Sequence, residues 1–170
     1  MRRIVIAIAR GVRAAIIGPS IRDKLSATEF SAVRKAILEA ARPHLMRLLG
    51  SGSGGLLVPG LGINASISPI AARPGKIALV AQSASVTTAI IGRAASTGVG
   101  FSTIVHLGAS LDIDLADVID WLADDPDTER ILVQFDSVAV GRKFMSAARA
   151  AARNKPVVAI RAGRLAAAPA

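Results

Sequence analysis

The stretch KIALVAQSASVTTAIIGRAA, Lys76 to Ala95, decides the fold. Lys76–Ala81 is an apolar run that reads as a strand, and Val86–Ala95 reads as a helix. Between them stand Gln82, Ser83, Ala84 and Ser85. A plain turn between two buried segments draws on Gly, Pro, Asn or Asp. Gln and Ser can instead cap a helix and hydrogen-bond an oxyanion.

The alternation continues downstream. Phe101–Leu107 is predicted as a strand, Leu115–Ala123 as a helix, Ile131–Phe135 as a strand, Gly141–Arg153 as a helix and Val157–Ile160 as a strand. Four strands joined by three helices through short loops imply an α/β fold with a parallel sheet and right-handed crossovers. Upstream, Val12–Ile17 is predicted as a strand, with Ile4–Ile8 as a further segment before it. A helix follows, capped by Ser26 or Thr28, with Phe30, Val33, Ile37, Leu38 and Ala41 on one face and Pro43 at its end. Leu45–Leu49 and Leu56–Val58 are short apolar runs. Pro69–Gly75 (PIAARPG) reads as a linker, so the expected domains are 1–73 and 74–170. No internal repeat is evident, and the tail LAAAPA is low in complexity.

The 170 residues carry 52% apolar but only 3% aromatic side chains, a composition for an Ala, Val, Ile and Leu core with close helix–sheet packing. The absence of cysteine excludes disulfides, thiolate metal sites and a Cys nucleophile, and fits a cytoplasmic protein. The net charge of +9 comes mostly from scattered arginines, without a basic run and with few aromatic platforms, so no nucleic-acid partner is expected. The opening MRRIVIAIARG has too short an apolar run for a signal peptide. No segment reaches the roughly 18 apolar residues of a membrane span, so no membrane partner is expected.

Several loops bear on chemistry. Ligands of parallel α/β sheets gather beyond the carboxyl ends of the strands. There, Gln82–Ser85 opens a helix whose N-terminus favours phosphate or carboxylate. The residues leave two readings open: an anion site, or a helix cap alone. Asp136 ends the third strand of the regular unit on the same edge and is a candidate functional carboxylate, with a turn-forming Asp as its plainer reading. GSGSGG, Gly50–Gly55, lacks the Lys-Ser/Thr ending of a phosphate loop and reads as a flexible connector. Asp112–Glu129 lacks the Gly and Glu of a calcium loop. Asp114 instead reads as a helix cap with Asp117 in the first turn, so no metal site is expected. His44 and His106 read as structural.

PGKIALVAQSASV, then GFSTIVHLGASLDIDLADVIDWLADDPDTERILVQFD, then FMSAARAAARNKPVVAIRAGR resemble the succinyl-CoA-synthetase-like flavodoxin domain of NDP-forming acyl-CoA synthetases (acetate–CoA ligase, ADP-forming). The domain also occurs in Pat-type proteins fused to a GNAT acetyltransferase. RGVRAAII, LEAARPHLMRLLG and LLVPGLGINASIS are similar to the last part of the family's Rossmann-like CoA-binding domain.

The resemblance implies CoA or acyl-CoA and phosphate as ligands. It places Ala81–Ala84 at the family's Ser-Gln-Ser-Gly phosphate loop, so Gln82, Ser83, Ala84 and Ser85 are the expected phosphate-binding residues. Asp136 stands at the position of the family's Glu that steadies a phosphorylated histidine. That histidine follows the segment matching Ala162-Gly163-Arg164 in the family, and the sequence closes six residues later without it. No catalytic residue is therefore expected here, nor a nucleotide site, and His44 and His106 are not in position to substitute. The resemblance implies a truncated member, the CoA- and phosphate-binding scaffold of acyl-CoA, phosphate and NDP interconversion, inactive alone. The alternative is a non-catalytic interaction or regulatory module that pairs with a separate ATP-grasp subunit or GNAT acetyltransferase. A homo-oligomer is also compatible with the exposed sheet edges such a fragment would carry.

Overall fold

A computed structural model describes residues 11–19, 26–69 and 71–162. The segment Ile4–Ile8 and the tail from Gly163 onward lie outside the described residues. The elements run β1 (Ala14–Ile16), α1 (Ala27–Ala41), β2 (Arg47–Leu49), β3 (Gly55–Val58), β4 (Ile63–Ser66), β5 (Pro74–Ala81), α2 (Ala84–Thr97), β6 (Phe101–His106), α3 (Leu115–Asp124), β7 (Arg130–Phe135), α4 (Gly141–Ala151) and β8 (Val157–Arg161).

The main sheet has six strands in the order β4-β3-β6-β5-β7-β8. The parallel α/β unit expected from the sequence is present: β5 pairs in parallel with β6 and β7, and β7 with β8. The antiparallel edge was not expected. β3 runs antiparallel to both β6 and β4, and β4 (INAS) carried no strand signal. The sheet therefore draws strands from both sides of position 74, and the supposed linker's last two residues, Pro74 and Gly75, open β5. β1 and β2 form a separate two-stranded parallel sheet against α1.

Alternate residues of β5 feed opposite faces, as the two-residue period of a strand requires. Ala78 and Val80 pack with Val105, Val133 and the buried stripe of α3 and α4. Leu79 and Ala81 pack on the other face with Ile104 and with Ile91 and Ala94 of α2. Each fully buried Leu or Ile contributes roughly 1.5–3 kcal/mol, so these alternating runs dominate the strand energetics.

Helix starts follow their caps. Ser26, not Thr28, caps α1 in a capping box with Glu29. Asp114 caps α3 reciprocally with Asp117, as its sequence position suggested. α2 opens two residues earlier than predicted, because Ser83 takes the cap position. No described helix is long and apolar enough to cross a membrane.

Candidate functional site

The parallel strands β5, β6 and β7 end side by side, so the residues just past them share one edge of the sheet. An open basin of about 570 Å³ lies there. Gln82 and Ala84 reach it from the end of β5, His106 and Gly108 from β6, and Asp136 and Ser137 from β7. Ser51 and Gly52 of the glycine-rich loop and Arg34 of α1 close the remaining sides.

Of the expected phosphate residues, the structure brings Gln82 and Ala84 together with Asp136 on this basin. Ser83 and Ser85 are not among its lining residues. The Ser83 hydroxyl accepts from the Val86 N–H at 3.4 Å and so caps α2. Ser85 is exposed in the first turn of that helix. The Gln82 side chain is also committed. Its Nε2 donates to the Ser137 carbonyl at 2.9 Å, and its Oε1 accepts from the N–H groups of Asp136 and Ser137 at 2.9 and 3.2 Å. What α2 offers an anion is therefore its backbone, whose first N–H groups have no carbonyl a turn earlier to pair with.

Gln134 joins these loops from within the sheet. It is fully buried, accepts from the Ser83 N–H at 3.0 Å and donates to Asp136 Oδ1 at 3.0 Å. Burying an amide is tolerable because both ends are satisfied. Asp136 is thus steered by the strand that carries it, while its backbone is held by Gln82.

The glycine-rich loop is not the flexible connector its composition suggested. Ser51, Ser53, Gly54 and Gly55 are buried. Ser53 Oγ donates to the His106 carbonyl at 2.5 Å and accepts from the Gly55 N–H at 2.9 Å. Gly55 has φ +92°, and a Cβ there would strike the Ala65 carbonyl, so glycine is required to let β4 approach. The Gly54 N–H donates to His106 Nδ1.

His106 is 6% exposed, and both its ring nitrogens are engaged. A backbone N–H can only donate, so Nδ1 is the acceptor and the proton sits on Nε2, which donates to the Gln82 carbonyl at 3.1 Å. Burial pushes its pKa below the ordinary 6.5, with the bond to the Gln82 carbonyl opposing. The ring is a neutral strut between the glycine-rich loop and the loop that opens α2. Sequence reasoning marked it only as structural and missed that it touches the basin.

Sequence reasoning also missed Arg34. It sits on the exposed side of α1, and its Nη2 donates to the Ser110 carbonyl at 2.9 Å. Among the described lining residues it is the cation and Asp136 the carboxylate. No local pattern ties a helix arginine to a loop 76 residues away. A larger cavity, about 640 Å³, lies between β1 and α3 and is lined mainly by Ala, Ile, Leu and Val with Trp121 at its side. Its lining includes no residue of the α2 N-terminus or of the loops after β5 and β7, so the smaller basin is the better candidate for anion chemistry.

Comparison with known proteins bears on this geometry. The chain is 35% identical over 132 residues to the Acetate–CoA ligase [ADP-forming] I subunit alpha of Pyrococcus furiosus, a match covering 78% of this chain and 29% of that protein. It is 34% identical over 141 residues to the Acetate–CoA ligase [ADP-forming] I of Archaeoglobus fulgidus, covering 83% of this chain and 21% of that one. The chain thus spans less than a third of the length of these relatives. Among solved structures, a dinucleotide forming acetyl-coenzyme A synthetase 1 of Ca. Korarchaeum cryptofilum, in complex with phosphate and ADP, superposes with a TM-score of 0.85 at 27% identity, covering 95% of this chain and 35% of that one. Residues 74–170 match the family described as succinyl-CoA ligase like flavodoxin domain, and the chain belongs to that family.

Proposed function

We propose that this chain is the phosphate- and CoA-binding scaffold of an ADP-forming acyl-CoA synthetase, and that it works with a partner subunit that handles the nucleotide. The basin at the ends of β5, β6 and β7 carries the reading. It sets the N-terminus of α2 on one side and Arg34 on another, and Gln82 and Gln134 hold the loops between them. An oxyanion seated there would take the open N–H groups of the helix and the guanidinium together. Asp136 faces the same space and would select a protonated phosphate oxygen or orient a group that carries the phosphoryl. CoA enters the reading through the relatives' names and the fold they share.

Calorimetric titration of the chain with inorganic phosphate tests it. Saturable binding is expected, weakened about tenfold or more by Arg34→Glu and by Ala84→Glu, since each places a carboxylate against the anion. Absence of saturable binding, or binding indifferent to both substitutions, would overturn the assignment.

A further inference from the structure

The helical layer formed by α3 and α4 has two unlike outer surfaces. α3 exposes Asp120, Trp121 and Asp124. α4 exposes Arg142, Met145 and Arg149, and Arg153 follows just past its end. Residues 142, 149 and 153 fall on one side of a helix of 3.6 residues per turn, as do 120 and 124. None of these five charged groups takes part in an ion pair among the described residues. Each half also carries an apolar group in the open: Trp121 is 54% and Met145 45% exposed.

The two helices lie side by side and level. Lys143, near the start of α4, bridges Asp114 and Asp117 at the start of α3 at 2.9 and 2.7 Å. Lys155, just past α4, donates to the carbonyls of Leu122 and Asp125 at the end of α3 at 2.7 and 2.5 Å. The acidic residues of α3 therefore stand at about the same height as Arg149 and Arg153 of α4.

A surface with both signs in adjacent stripes is poorly matched to a polyanion or a polycation, because half of it would repel either. It is matched by the same surface turned over. We propose that this chain forms a two-fold dimer through the outer face of α3 and α4, with the axis running along the helices between them. Each α3 then lies over α4 of the second copy. Asp120 and Asp124 of one protomer meet Arg149 and Arg153 of its partner, and the relation repeats in reverse, as an isologous interface requires. Trp121, on the flank of α3 that faces β1, lies at the margin of the seam, where the partner's α4 brings an arginine and ring and guanidinium attract. Trp, Met and Arg are the residue types enriched at such interfaces.

Sedimentation of the full chain tests this with two charge-reversed versions, Asp120→Arg with Asp124→Arg, and Arg149→Asp with Arg153→Asp. The wild type is expected to be a dimer that dissociates as salt rises. Each reversed chain is expected to self-associate about 100-fold or more weakly, and an equimolar mixture of the two to dimerise again, because one set of contacts is then the native one and its mate is restored with its signs exchanged. A monomeric wild type, reversed chains that still dimerise, or a mixture that stays monomeric would overturn it. Trp121 is the only tryptophan, so a second readout needs no variant. Its fluorescence is expected to shift to shorter wavelength as protein concentration rises through the dissociation constant. An unshifted emission in the dimer would place the interface elsewhere.

Discussion

The Gly54 N–H donates to His106 Nδ1 across 52 residues of sequence, and the missing side chain of Gly54 is what lets the imidazole approach. A Cβ at Gly54 would lie 2.5 Å from Nδ1 and 2.9 Å from Cγ. The ring cannot withdraw without breaking its bond to Gln82, so one contact ties the glycine-rich loop to the loop that opens α2.

Gly54→Ala should therefore destabilise the fold by about 2 kcal/mol, in the range of overpacked buried sites. Urea denaturation measures it directly. A change within about 0.5 kcal/mol would mean the ring is free to move and the strut is not rigid.

Acid should weaken the same strut. The His106 pKa is lowered in the folded protein by burial, so its contribution to stability is fully present above the unfolded-state value near 6.5 and is lost as pH falls towards the folded value. Between those limits the unfolded chain holds the extra proton, and the slope approaches about 1.4 kcal/mol per pH unit. The charged groups sharing the basin with the ring are Arg34 and Asp136. His106→Gln offers an acceptor and a donor but no titrating proton. Denaturation midpoints measured downward from pH 6.5 should fall more steeply for the wild type than for His106→Gln. Parallel curves would remove His106 as the cause.

Gln82→Ala removes three hydrogen bonds to Asp136 and Ser137. Both residues are exposed, so water replaces part of the loss and the stability cost should be only about 1–2 kcal/mol. The local effect should be larger. Amide hydrogen exchange at Asp136 and Ser137 should accelerate well beyond that of Leu132, which is paired within β7. Equal acceleration at all three would show global destabilisation rather than release of the loop.

Legibility differed by element. β5, β6 and β7 are short apolar runs between polar loops, and the helices after them are amphipathic, α2 and α3 with side-chain caps, so local pattern was enough to place them within a few residues. β4 was hidden. Its four residues are polar or exposed and gain strand character only by pairing with β3. The glycine-rich loop misled in the opposite direction. Glycine signals freedom in an isolated chain, yet Gly54 and Gly55 are there because His106 and Ala65 come so near.

The same division runs through the candidate site. Sequence by itself determined that Gln82–Ser85 opens a helix at the end of a buried strand and that Asp136 stands at the end of another strand on the same sheet edge, since capping and strand polarity are local properties. Only the tertiary structure decided that the Ser83 N–H meets Gln134, that Gln82 clamps the 136–137 loop, and that Arg34 and His106 join the basin. Those outcomes depend on contacts between residues 24 to 76 positions apart. Such contacts are set by how strands and helices pack, and no window of sequence contains both partners.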